Sequence, residues 1–125
     1  MTEQQHYAGS QGALLTTTGM PITTTFDFPG WKVVEHKGAC FGLVVRSMGM
    51  AKGFLAGFQA MAGGEVSAYT QLLEDSRRHA VDRMVEHARV LGANAIVGMR
   101  FDSSEIGQSL TEIVAYGSAV VVTGA

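Results

Sequence analysis

The sequence predicts an α+β domain, a small sheet packed on one long and one short helix, and three patterned stretches carry that expectation. Trp31 to Ser47 alternates apolar and polar residues in its flanks, Ser67 to Leu91 repeats with a 3.6-residue period, and two apolar segments fill 95–123 around a polar turn. At 125 residues, 46% hydrophobic and 16% charged, the chain buries one core, so one domain is expected.

Residues 1–20 are small and polar, with no apolar period beyond Ala13, Leu14 and Leu15, and read as a flexible tail ahead of a domain over 21–125. Ile22 to Phe26 suits a short first strand that stops at Pro29 and Gly30. In the long strand that follows, Trp31, Val33, Phe41, Leu43 and Val45 share one face and Lys32, His36, Cys40 and Arg46 the other, with bends expected at Gly38 and Gly42. Ala51 to Ala62 places Phe54, Leu55, Phe58 and Met61 at helical spacing before the Gly63-Gly64 stop, which predicts the short helix.

Ser67 is a suitable N-cap for the long helix. Its apolar row is Tyr69, Leu72, Leu73, Ser76, Ala80, Met84, Ala88 and Leu91, and Gly92 ends it. Two strands complete the chain, Ala95 to Asp102 and Leu110 to Thr123, joined through Ser103, Ser104 and Gly107. The last strand has apolar residues on both faces. Leu110, Val114, Tyr116, Val120 and Val122 lie on one, Ile113, Ala115, Ala119 and Val121 on the other, so both faces are expected to be covered.

A formal charge of −2 and a pI near 6.0 give no field that gathers a polyanion, which argues against nucleic acid as a partner. The single Cys40 cannot form an internal disulfide, and a reducing cytoplasm is the expected location. Neither a signal peptide nor an apolar run of about 20 residues is evident, so no membrane role is expected.

Three segments in order, Gly38-Ala39-Cys40-Phe41-Gly42, Gly63-Gly64-Glu65-Val66-Ser67-Ala68-Tyr69 and Leu91-Gly92-Ala93-Asn94-Ala95-Ile96-Val97-Gly98, resemble the YbjQ family over about Ile22 to Val122. The resemblance implies a small antiparallel sheet on helices, similar to the dodecin-like arrangement, with subunits closing into pentameric rings. Where that family often carries charge in the short helix, this chain has Gly53, Gln59 and Ala60. The family's heavy-metal label directs attention to ligand-bearing side chains.

No closely spaced pair of Cys or His of the kind structural zinc sites use is present. His36 and Cys40 share a strand face but stand roughly 13 Å apart on extended chain. Cys40 reads as a small buried hydrophobe. Asp75, His79, Asp82 and Glu86 form one helical stripe and are the candidate ligands for a divalent or heavy metal, against the plainer reading of a solvated face balanced by Arg78 and Arg83.

Neither a G-x-S-x-G elbow nor a phosphate loop occurs, so catalysis and a bound cofactor are not expected. The expectation is a homo-oligomer of structural or small-ligand-binding type, with Phe54, Phe58, Met61, Tyr116, Ala119 and Val121 at the contact between copies. A metal-binding protein and a module recruiting a protein partner through the Met- and Phe-rich short helix are the alternatives.

Overall fold

Three strands build one antiparallel sheet in the order β1-β3-β2, where β1 is Trp31–Ser47, β2 Ala95–Ile106 and β3 Leu110–Gly124. Among the described residues one helix, α1 (Ser67–Val90), lies between β1 and β2 in the chain and packs chiefly across β1. The computed structural model describes residues 19–47, 67–107 and 110–124. Within them the architecture is the α+β class, with its small antiparallel sheet, that the sequence predicts. The expected short helix at 51–62, with Phe54, Phe58 and Met61, lies outside the described residues, as do residues 1–18 of the expected tail.

Helix α1 presents Ser76, Ala80, Met84, Val85 and Ala88 to the sheet, all at zero exposure. The sheet answers with Cys40 and Val44 of β1, Ile113, Ala115 and Ala119 of β3, and Ile96 and Met99 of β2, which with the helix make the main core. Small residues on the helix let it lie low, and Gly42 sets how low. A Cβ there would collide with the Ala80 carbonyl oxygen and the Met84 amide nitrogen. Gly42 is therefore a point of backbone contact; the strand bends instead at bulges between Val33 and Glu35 and between His36 and Gly38.

The helix ends as the Leu91-Gly92 pattern requires. Gly92 adopts φ 89°, its N–H donates to the Arg89 carbonyl at 2.9 Å, and the Ala93 N–H donates back to Ala88 at 3.0 Å. Those two bonds define a Schellman stop, closed by the buried Ala88 and Ala93. Asn94 then extends the sheet with its side chain: Nδ2 donates to the Val122 carbonyl at 3.0 Å, and Oδ1 accepts the Val122 N–H at 2.8 Å. The amide imitates a peptide group at the start of β2.

Ile22 to Phe26 is no regular strand. It makes one isolated parallel bridge, Ile22 to Ile96, and covers the outer edge of β2 through bonds to Ile96, Gly98 and Met99. The threonines explain the irregularity, because Thr23 Oγ1 accepts the Thr25 N–H at 3.1 Å and turns the chain. Met20, assigned to the tail from sequence, is buried in the main core. The segment thus begins on the helix side of the sheet and crosses to the other, where Phe28 covers Ala95, Val97, Val120 and Val122 in a second cluster.

Ser103 and Ser104 do not form a turn. They pair with Ile113 and Glu112, and β2 runs to Ile106 before Gly107 starts the connection. Polar residues mislead here because this half of the strand is exposed on both faces.

Candidate functional site

The alternation in β1 divides its side chains between two surfaces, and the helix occupies the less apolar one. Cys40, Gly42, Val44 and Arg46 face α1, whereas Phe41, Leu43 and Val45 face away. Register places Tyr116 opposite Phe41, Val114 opposite Leu43 and Glu112 opposite Val45. Phe41, Leu43, Val45 and Tyr116 are 55%, 39%, 48% and 43% exposed, a contiguous apolar row that no described element covers. Beyond it on β2 lie Arg100 and Asp102, opposite Tyr116 and Val114.

The row is bordered by the edge of β1 that pairs with no strand among the described residues, and α1 clasps this edge with polar side chains. The Phe41 N–H donates to Nδ1 of His87 at 3.1 Å, and the Phe41 and His87 rings meet edge to face at 5.1 Å. Arg83 donates to the Leu43 carbonyl at 3.2 Å. Further along, Arg46 donates from Nε to Ser76 Oγ at 2.9 Å and from Nη2 to His79 Nδ1 at 3.3 Å, while Ser76 Oγ donates to the Leu72 carbonyl at 2.8 Å. Ser76, buried in full, is thereby satisfied on both sides.

The expected metal stripe is dispersed among other partners. Asp75 accepts from Gln71 at 2.9 Å and from Arg78 at 3.1 Å, His79 receives Arg46, and Glu86 is exposed. Asp82 is half-buried and engaged. Among the described residues no group of three His, Cys, Asp or Glu side chains is placed to hold a metal ion, so these residues do not fit the ion that the stripe suggests. Cys40 is buried, its thiol donates to the Gly117 carbonyl at 3.6 Å, and burial pushes its pKa up to about 11. A protonated thiol is a poor ligand and nucleophile.

Of the expected contact residues, Tyr116 is open and Val121 half-buried, but Ala119 has zero exposure within the single chain. Its burial comes from the protomer's own core and calls for no second copy. Among the described residues the covering of both faces of β3 is likewise partial: Phe28 covers the end at Val120 and Val122, while at the other end Tyr116 is exposed and Val114 half-buried. Sequence reasoning placed Phe41, Leu43 and Val45 together but did not mark them as the open face. The signal was Gly42 amid Cys40, Val44 and Arg46, since a helix approaches where a strand offers no side chain.

The sequence model of the YbjQ family, described as "Putative heavy-metal-binding", matches residues 20–123. A UPF0145 protein from Bradyrhizobium sp. (strain ORS 278) is 53% identical over 103 residues, 82% of this chain and 93% of that protein. Another, from Sulfurisphaera tokodaii, is 48% identical over 102 residues, 82% of this chain and 90% of its own. A crystal structure of a protein of unknown function in the DUF74 family, from Pediococcus pentosaceus, superposes with a TM-score of 0.55 at 16% identity, covering 84% of this chain and 99% of that one. That likeness concerns the fold.

Proposed function

This chain belongs to the YbjQ family, and on that premise we propose that it is a non-catalytic, homo-oligomeric protein of structural or small-ligand-binding type, assembled through the open face of its sheet. The carrying observation is the row of Phe41, Leu43, Val45 and Tyr116, 39% to 55% exposed and covered by no described element. Contiguous apolar surface of this kind marks interaction sites. A ring of five copies is the closed arrangement that the family resemblance implies.

The non-catalytic part of the reading is supported by how the buried Ser76 and Cys40 are engaged, the first between Arg46 and Leu72, the second as a protonated thiol. Among the described residues no helix is long and apolar enough to cross a membrane, and a reduced buried cysteine suits the cytoplasm, which we propose as the location.

Native mass spectrometry of protein purified without an affinity tag counts the subunits and reads any retained ion or small molecule. Leu43→Asp is expected to yield monomers at micromolar concentration in sedimentation velocity, with its circular dichroism spectrum retained. A monomeric wild type removes the proposal, and one metal ion retained per subunit replaces it with the heavy-metal reading in the family's description.

A further inference from the structure

We infer that the cleft between the N-terminal segment, the first residue of β1 and the last turn of α1 is a binding site for a small aromatic carboxylate, with the ring against Trp31 and the carboxylate on Arg89. The cleft has a volume of about 370 Å³, at the small end of the range that ligand sites occupy. It is made within one chain, and the apolar row that begins at Phe41 lies farther along β1. The inference deepens the small-ligand part of the proposed function, on which it rests, and takes nothing from the assembly part.

The walls are set before a ligand arrives, which lowers the entropy lost on binding. Met20 and Ala93 are buried. The Pro21 carbonyl accepts the Ile96 N–H at 3.0 Å, the Ala93 N–H is engaged by Ala88 and that of Asn94 by Val120, both at 3.0 Å, and the Asn94 side chain is engaged by Val122. The backbone N–H of Trp31 donates to the Phe28 carbonyl at 2.9 Å, and its side chain packs beside the Phe28 cluster. With these polar groups occupied, recognition falls to two side chains. Trp31 is half-buried and offers a flat aromatic surface. Arg89, exposed at the helix end, is the charged side chain of the lining among the described residues. It has a partner within the chain, but five N–H donors let a guanidinium hold a carboxylate as well.

Charge narrows the class of ligand. A cation would meet Arg89 with no acidic side chain in the described lining to offset it. One guanidinium balances one negative charge, and Lys37, beside Gly92, is already paired with Glu35 at 2.7 Å. A planar carboxylate matches the guanidinium fork, and a ring attached to it reaches the indole.

Trp31 is the single tryptophan, so its emission reports on the cleft. Phenylacetate, phenylacetamide and acetate are titrated into the full chain near neutral pH. Phenylacetate is expected to change Trp31 emission saturably. Phenylacetamide, which keeps the ring and lacks the charge, and acetate, which keeps the charge and lacks the ring, should bind at least tenfold more weakly. In Arg89→Gln the advantage of phenylacetate over phenylacetamide should vanish. In Trp31→Leu, followed by ligand-observed saturation-transfer NMR, phenylacetate should weaken at least tenfold. No saturable response to phenylacetate, equal responses to the three probes, or a preference for the carboxylate that survives Arg89→Gln overturns the inference, and the wild-type comparison decides it even if a variant fails to fold. Sedimentation velocity on the same samples keeps the two readings apart. A monomer that binds phenylacetate removes the assembly and keeps the site, whereas an assembled protein that binds none of the three removes the site and keeps the assembly.

Discussion

Cys40 and Gly42 are neighbours on one face of β1, and their fates differ in legibility. That Cys40 packs as a hydrophobe follows from its type and its lone occurrence, and the structure buries it. Its raised pKa has a consequence with a definite sign. Between the ordinary value of 9.0 and about 11 the unfolded thiol releases its proton while the folded one keeps it, so the folded state binds more protons. Stability is therefore present in full below about pH 9 and is lost as pH rises toward 11, and chemical denaturation at a series of alkaline pH values should show that decline. Cys40→Val abolishes it and changes stability near neutrality by less than about 1.5 kcal/mol, as apolar swaps of similar volume do. Gly42 was legible only as a bend, because a sequence does not say which backbone will come close. Gly42→Ala is expected to cost about 3 kcal/mol in urea denaturation, since the obstructing Ala80 and Met84 atoms are helix backbone and cannot rotate away.

At the scale of elements, the long helix and the two long strands were readable because each repeats its pattern over many residues, and the helix stop at Gly92 because its φ demands glycine. The N-terminal segment was not. Its threonines fit a strand by propensity, but side chains that bond their own backbone turn it into an irregular cover for β2. The seam of Arg46, Ser76, His79, Arg83 and His87 was invisible for another reason: it joins residues of two elements whose relative height Gly42 decides. Asn94 shows the same limit, being legible as part of the passage into β2 but not as a side chain completing the sheet at Val122. Asn94→Leu removes two hydrogen bonds to that peptide group and leaves its N–H and carbonyl short of partners. A loss of about 2 to 4 kcal/mol is expected in equilibrium unfolding, with faster amide exchange at Val122.

For the whole molecule, α1 lies on one face of the sheet, chiefly across β1, and among the described residues the second face is covered only at one end. Phe28 closes that end over Val97, Val120 and Val122, and the other end leaves Phe41, Leu43, Val45 and Tyr116 open. Sequence reasoning sensed an excess of apolar residues for the helices to cover. On β3 it assigned the excess to Tyr116, Ala119 and Val121; Tyr116 is exposed, but the protomer buries Ala119 unaided, because alternation gives the faces of a strand but not which face meets the helix. The two ends of this face should then answer to different measurements. Phe28→Ala removes a buried aromatic from a cluster inside one chain, so unfolding is expected to become easier by about 3 to 5 kcal/mol while any variant that remains folded keeps its oligomeric state. Leu43→Asp puts a carboxylate on the open end, where a single chain leaves it hydrated, so it should separate copies without lowering the unfolding free energy of the isolated subunit by more than about 1 kcal/mol. Sedimentation velocity and urea denaturation on both variants read the two effects separately. Loss of subunit stability in Leu43→Asp with assembly intact would mean that the row is covered within one chain, and the open face would cease to be an interface.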